Sequence, residues 1–140
     1  MNATTMNAAS VNTTTRFLPF AGRLLIGGIF LMSGLSKLPA YTGITAAISG
    51  AGLPFAPLGF AVAVIVEIGL GMLLLIGYRV RPVALGLVIW CFMTAIFFHR
   101  NFADQNTMIH FLKNLLIAGG LLQIVYFGAG PISLDARSGR

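Results

Sequence analysis

Hydrophobic residues arrive in four long runs separated by short polar breaks. The runs extend roughly from Phe20 to Leu38, Leu58 to Gly77, Pro82 to Phe98 and Met108 to Phe127. Each is about 17–20 residues, the length a helix needs to cross bilayer hydrocarbon at about 1.5 Å per residue. The pattern predicts an all-α fold, a bundle of four transmembrane helices. Pro82 fits the first turn of the third run, where its missing N–H costs nothing, and Pro39 and Pro131 lie just past helix ends.

The stretch from Ala40 to Pro57 breaks the pattern. Tyr41, Ile44 and Ile48 recur at helical spacing, with Thr42, Thr45 and Ser49 opposite, before Gly and Pro punctuation from Gly50 to Pro57. This predicts a short interfacial helix on the membrane surface, roofing one end of the bundle between spans one and two. Residues 1–15 are rich in Asn, Thr, Ala and Ser without apolar periodicity, so they read as a disordered tail and not as a signal peptide. The membrane domain covers residues 16–130, and residues 131–140 read as a C-terminal tail.

Composition agrees with the bilayer. Hydrophobic residues make up 57% and charged residues 9% of 140 positions, against about 25% charged in a soluble domain. The net charge of +6 is scattered between apolar runs, not gathered in a patch with exposed aromatics, so the chain is read as binding no nucleic acid. The basic residues read instead as topology signals and lipid-headgroup contacts. Arg16, Arg23, Arg79, Arg81, Arg137 and Arg140 fall on one side, and Lys37, Arg100 and Lys113 on the other. That bias predicts an inner-membrane protein with both termini in the cytoplasm.

Glu67 is the most informative residue, flanked only by apolar residues and glycines from Leu58 to Gly77. An ionised carboxylate there must face the bundle interior and find a partner, or stay protonated. Its helical neighbours Gly59, Ala63 and Gly71 form a small-residue stripe that admits another helix. The carboxylate reads either as a proton relay in a partly wet cavity or as a structural pair joining two helices. Helix rise puts Glu67 about 13 Å and Lys113 about 7 Å below the same surface, so Lys113 is the leading partner. Lys113 can alternatively snorkel to the interface.

Arg23, Gly27, Phe30, Gly34 and Lys37 share one face of the first span. Lys37 reads as an interface marker or a site residue, and Arg23 as a cytoplasmic anchor. His99, Arg100, Asp104 and His110 gather at one end of spans three and four, with Asn114 beside Lys113. Lys37, His99, His110 and Asn114 are the candidate binding residues, able to hydrogen-bond a polar headgroup or quinone ring. Metal and haem are disfavoured, because nothing places the two histidines at one depth facing each other. The single Cys91 lies in an apolar run and reads as a small buried hydrophobe. Gly27-Gly28 and Gly119-Gly120 read as packing glycines, since no phosphate-loop residues follow them. Trp90 and Gln123 read as packing or hydrogen-bonding residues.

Several pieces together resemble the DoxX family of small bacterial membrane proteins. They are Gly28-Ile29-Phe30, Ser33-Gly34-Leu35-Ser36-Lys37-Leu38, Gly52-Leu53-Pro54, Glu67 with Gly69 and Gly71, Phe98-His99, Lys113-Asn114-Leu115 and Gly119-Gly120-Leu121-Leu122. The resemblance covers about Arg23 to Leu122. It implies a link to membrane oxidoreductases and quinones, since relatives include a subunit tied to thiosulfate:quinone oxidoreduction and others tied to oxidative-stress complexes or quinol oxidases. The positions it carries over are Lys37, Glu67, His99, Lys113 and Asn114.

The leading expectation is therefore a quinone- or quinol-interacting subunit of a membrane oxidoreductase, with Glu67 and Lys113 as its intramembrane pair. No independent catalytic motif is present, and no flavin, haem or copper motif. The cofactor stays open, with quinone as the candidate. A non-catalytic scaffold or assembly protein and a small proton-coupled carrier are the alternatives. The expected partners are lipid, quinone, and an oxidoreductase subunit or a second copy of the chain.

Overall fold

The computed structural model describes residues 14–139. The tail expected over residues 1–15 lies outside this range up to residue 13, and Thr14 already opens the first helix. Four long helices are present: α1 (Thr14–Lys37), α3 (Ala56–Ile76), α4 (Val80–Phe98) and α5 (Gln105–Phe127). All four are long and apolar enough to cross a membrane. Between α1 and α3 come a 3-10 turn over Leu38–Ala40 and the short helix α2 (Tyr41–Gly50). The last helix is α6 (Leu134–Arg137). Among the described residues there is no strand. Large apolar side chains face outward, Met32 73% and Leu116 75% exposed, as lipid contact requires and water does not tolerate.

The helices run alternately up and down the bundle, and glycine sets how closely α1 meets α3. A Cβ on Gly27 would stand 2.9 Å from the Gly71 carbonyl oxygen, and one on Gly34 would stand 2.6 Å from Ile68 Cγ1 and 3.1 Å from Glu67 Cβ. The Arg23–Lys37 face of α1 thus docks along the Glu67–Gly71 face of α3, with no driving force but packing and polar contacts. Of the paired glycines, only Gly27 and Gly120 pack against a neighbouring helix, and Gly28 and Gly119 meet open space.

Arg23 corrects its sequence reading. It is 1% exposed and donates to the Leu74 and Leu75 carbonyls at 3.1 and 3.2 Å, and to the Ile132 carbonyl. The last carbonyls of a helix have no partner within it, so the guanidinium caps the end of α3 instead of anchoring to lipid headgroups.

The hydrophobic core occupies the same end of the bundle. Leu74, Val80, Val83, Ala84, Leu87, Cys91, Ala118 and Leu121 pack there, all buried. Residues 131–139, expected as part of a tail, fold back onto this end. Asp135 is buried, and its two carboxylate oxygens each accept an N–H at 2.8 Å, from Arg79 and Val80. The Asp135 N–H in turn donates to the Gly77 carbonyl at 2.9 Å. Arg79 has a left-handed backbone (φ 45°), a conformation costly for a side chain of its size, and the Asp135 contact holds it there.

The far end is built differently. α2 touches neighbouring residues of α3 from both of its own ends: Tyr41 meets Phe60 edge-to-face at 4.8 Å, and Ile48 lies against Gly59. It therefore crosses α3 instead of running beside it. The α4–α5 loop closes on Asp104, whose carboxylate caps α5 by accepting from the Thr107 N–H at 2.8 Å and its hydroxyl at 2.6 Å.

Replacing Asp135 by Ala strands two N–H donors at the start of α4. Asp135→Ala is expected to lower unfolding stability in detergent by about 1–3 kcal/mol, and Asp135→Asn, which keeps one acceptor oxygen, by less. Equal melting of the wild type and Asp135→Ala contradicts the clip.

Candidate functional site

Opposite the packed core the bundle is hollow. A cavity of about 970 Å³ lies between the α1/α3 pair and the α4/α5 pair. It is bounded by the C-terminal half of α1, α2, the loop at Leu53–Phe55, the N-terminal half of α3, the C-terminal half of α4 and the N-terminal half of α5. Most of its wall is apolar, from residues such as Ile29, Ile48, Leu58, Val62, Met93, Phe97 and Ile117. A size of several hundred cubic ångströms, apolar walls and a few placed polar groups are the usual marks of a small-molecule site. All six residues proposed from sequence, Lys37, Glu67, His99, His110, Lys113 and Asn114, line this one cavity.

Glu67 sits where α3 departs from α-helical geometry. Val66–Leu70 form a π-helical turn, a feature frequent at functional sites. The buried carboxylate is satisfied on both oxygens. Oε2 accepts from Lys37 Nζ at 2.7 Å and Oε1 accepts from Trp90 Nε1 at 3.1 Å. Lys37 also donates to Ser33 Oγ at 2.9 Å. One carboxylate thus ties α1, α3 and α4 together.

The partner expected for Glu67 was Lys113, and this is corrected. Lys37 takes the carboxylate because the glycine contacts bring the end of α1 directly against the π turn. Depth counted along separate helices held no information about that approach. Among the described residues Lys113 forms no ion pair, although it lines the same cavity. Trp90, read from sequence as a packing or hydrogen-bonding residue, gives its N–H to Glu67, whereas Ser33 carried no such reading. The signal that would have found Lys37 is the match between the Gly27/Gly34 stripe on α1 and the Glu67–Gly71 stretch of α3, which meet in antiparallel order.

Nearer the end of the bundle, His99 and His110 stack with ring centroids 5.1 Å apart and planes 22° from parallel. Lys113 lies one turn beyond His110. Asn114 donates to the His110 carbonyl at 3.0 Å and lies 3.3 Å from the Thr94 hydroxyl. Among the described residues, no three of His, Cys, Asp or Glu gather as a metal would require. Burial, and after it the charges of His110 and Lys113, push the His99 pKa below its ordinary value.

Comparison with known proteins identifies the family. The DoxX family model matches residues 18–100. The chain belongs to the DoxX family. The inner membrane protein YqjF of Escherichia coli K12 is 33% identical over 115 residues, spanning 81% of this chain and 85% of its own length. The inner membrane protein YphA of the same strain is 31% identical over 120 residues, spanning 82% and 86%. No solved structure matches significantly. This DoxX protein is thus a multi-pass inner-membrane protein.

The lowered His99 pKa has a definite sign. The unfolded chain binds its proton more readily, so the fold loses stability as pH falls below the ordinary imidazole value of 6.5. In an NMR titration His99 is expected to titrate below 6.5, and Lys113→Gln to raise its pKa part of the way back, since burial remains. No movement in that variant contradicts the placement of Lys113 beside the histidines.

Proposed function

We propose that this DoxX protein binds a quinone or quinol in the cavity, as a subunit of a membrane oxidoreductase. The observation that carries the reading is an apolar chamber within membrane-spanning helices that holds hydrogen-bond donors and a carboxylate. A quinone headgroup needs donors near its carbonyl oxygens, and a quinol losing electrons to a partner must also release protons. His99, His110, Lys113 and Asn114 supply donors and acceptors, and Glu67 is the group placed to take a proton. Electrons pass to a partner subunit, because this chain carries no redox motif of its own. In this reading the cavity end faces the periplasm, since Arg23, Arg79, Arg81 and Arg137 gather at the other end. The transverse α2 then lies at the membrane interface.

The second reading, a scaffold for a redox or stress-response complex, is favoured by one observation. Both Glu67 oxygens already have partners, as a purely structural carboxylate would.

Trp90 is the only tryptophan and touches Glu67, so its fluorescence reports on the site. Ubiquinone or menaquinone analogues are expected to quench it saturably, and mild-detergent preparations are expected to carry quinone detectable by lipid extraction and mass spectrometry. Glu67→Gln is expected to insert normally and to lose quinone-dependent turnover. Absence of both quenching and bound quinone leaves the scaffold reading.

A further inference from the structure

The charges lining the cavity do not cancel. Its titratable groups are Lys37 from α1, Glu67 from α3, His99 from the end of α4, and His110 and Lys113 from α5. Lys37 and Glu67 neutralise each other at 2.7 Å. His99 is held towards its neutral form by burial and by the charges beside it. Lys113 has no ion-pair partner among the described residues. It stands about 12 Å along α5 from Gln105, at about 1.5 Å per residue, exposed on the cavity rim beside His110 and Asn114. An ammonium beside an apolar chamber is stabilised more by an anion than by a neutral carbonyl oxygen, because a hydrogen bond with both partners charged is the stronger one. The stacked imidazoles and the Asn114 amide offer further polar contacts at the same level.

We infer that the cavity selects its quinone-type ligand as a monoanion, with an acidic ring oxygen bound as an oxyanion against Lys113 and the apolar tail along the α1, α3 and α5 walls. This rests on the quinone reading and narrows it. The favoured ligands are acidic hydroxyquinones, or the singly deprotonated form of a quinol. A fully neutral oxidised quinone binds more weakly. The Lys37–Glu67 pair lies deeper and does not contribute the cation, because its charge is already met.

The test compares two probes that differ in charge and hardly at all in shape. One is a hydroxy-naphthoquinone with an alkyl tail, ionised at mildly alkaline pH, and the other is its O-methyl ether. Binding is read from Trp90 quenching and from equilibrium dialysis with the full chain in detergent. The acid is expected to bind at least about tenfold more tightly than the ether, about 1.4 kcal/mol. That ratio is expected to fall to about one in Lys113→Gln and to persist in Lys113→Arg. Equal binding of the two probes to the wild type, or a ratio that survives Lys113→Gln, overturns the inference while leaving the quinone site standing. Binding of neither probe overturns the quinone reading itself.

Discussion

A carboxylate inside hydrocarbon has to be answered by its own protein. At the centre of a membrane helix an unpaired acidic side chain costs about 2.5–3.5 kcal/mol on insertion scales, and no water is at hand to lower that cost. Here Glu67 receives a lysine ammonium on one oxygen and an indole N–H on the other. These contacts require three helices to meet at one level. The glycines of α1 and α3 are what let them meet: any Cβ at Gly34 would collide with the π turn that carries Glu67. Much of the bundle's shape follows from satisfying this one group.

The molecule divides its labour along the bundle axis. One end is solid, with Leu74, Leu87 and Leu121 fully buried, Arg23 capping α3 and Asp135 clipping the start of α4. The other end is open between the helix pairs, crossed by α2 and lined with polar side chains. A firmly closed half can hold a hollow half in shape without filling it. That arrangement leaves placed polar groups on the wall of an apolar chamber. Glu67 sits at the boundary between the two halves, where it both braces the helices and faces the chamber.

The sequence revealed the spans, because hydrocarbon imposes a length and a polarity that show directly in residue order. Lys37, Glu67, His99, His110, Lys113 and Asn114 are conspicuous within apolar runs, and all six line the one cavity. The partner of Glu67 was not legible from depth alone. Which lysine reaches a carboxylate depends on how closely two helices approach, and that was encoded in Gly27, Gly34 and Gly71 rather than in either charged residue. The roles of Arg23 and Asp135 were hidden for a different reason. Each caps a helix end distant in sequence, and near the chain ends a charged residue reads by default as a surface group. The π turn left no sign, because Val66–Leu70 has the composition of any membrane helix.

The central claim is that Lys37, brought in by glycine packing, is what holds Glu67. A double-mutant cycle on unfolding free energy in mixed micelles tests it most directly, using Lys37→Met and Glu67→Gln, with a parallel cycle using Lys113→Met. The account predicts a coupling of about 1–3 kcal/mol between positions 37 and 67, and a coupling between 113 and 67 below about 0.5 kcal/mol. A larger coupling to Lys113 than to Lys37 contradicts it.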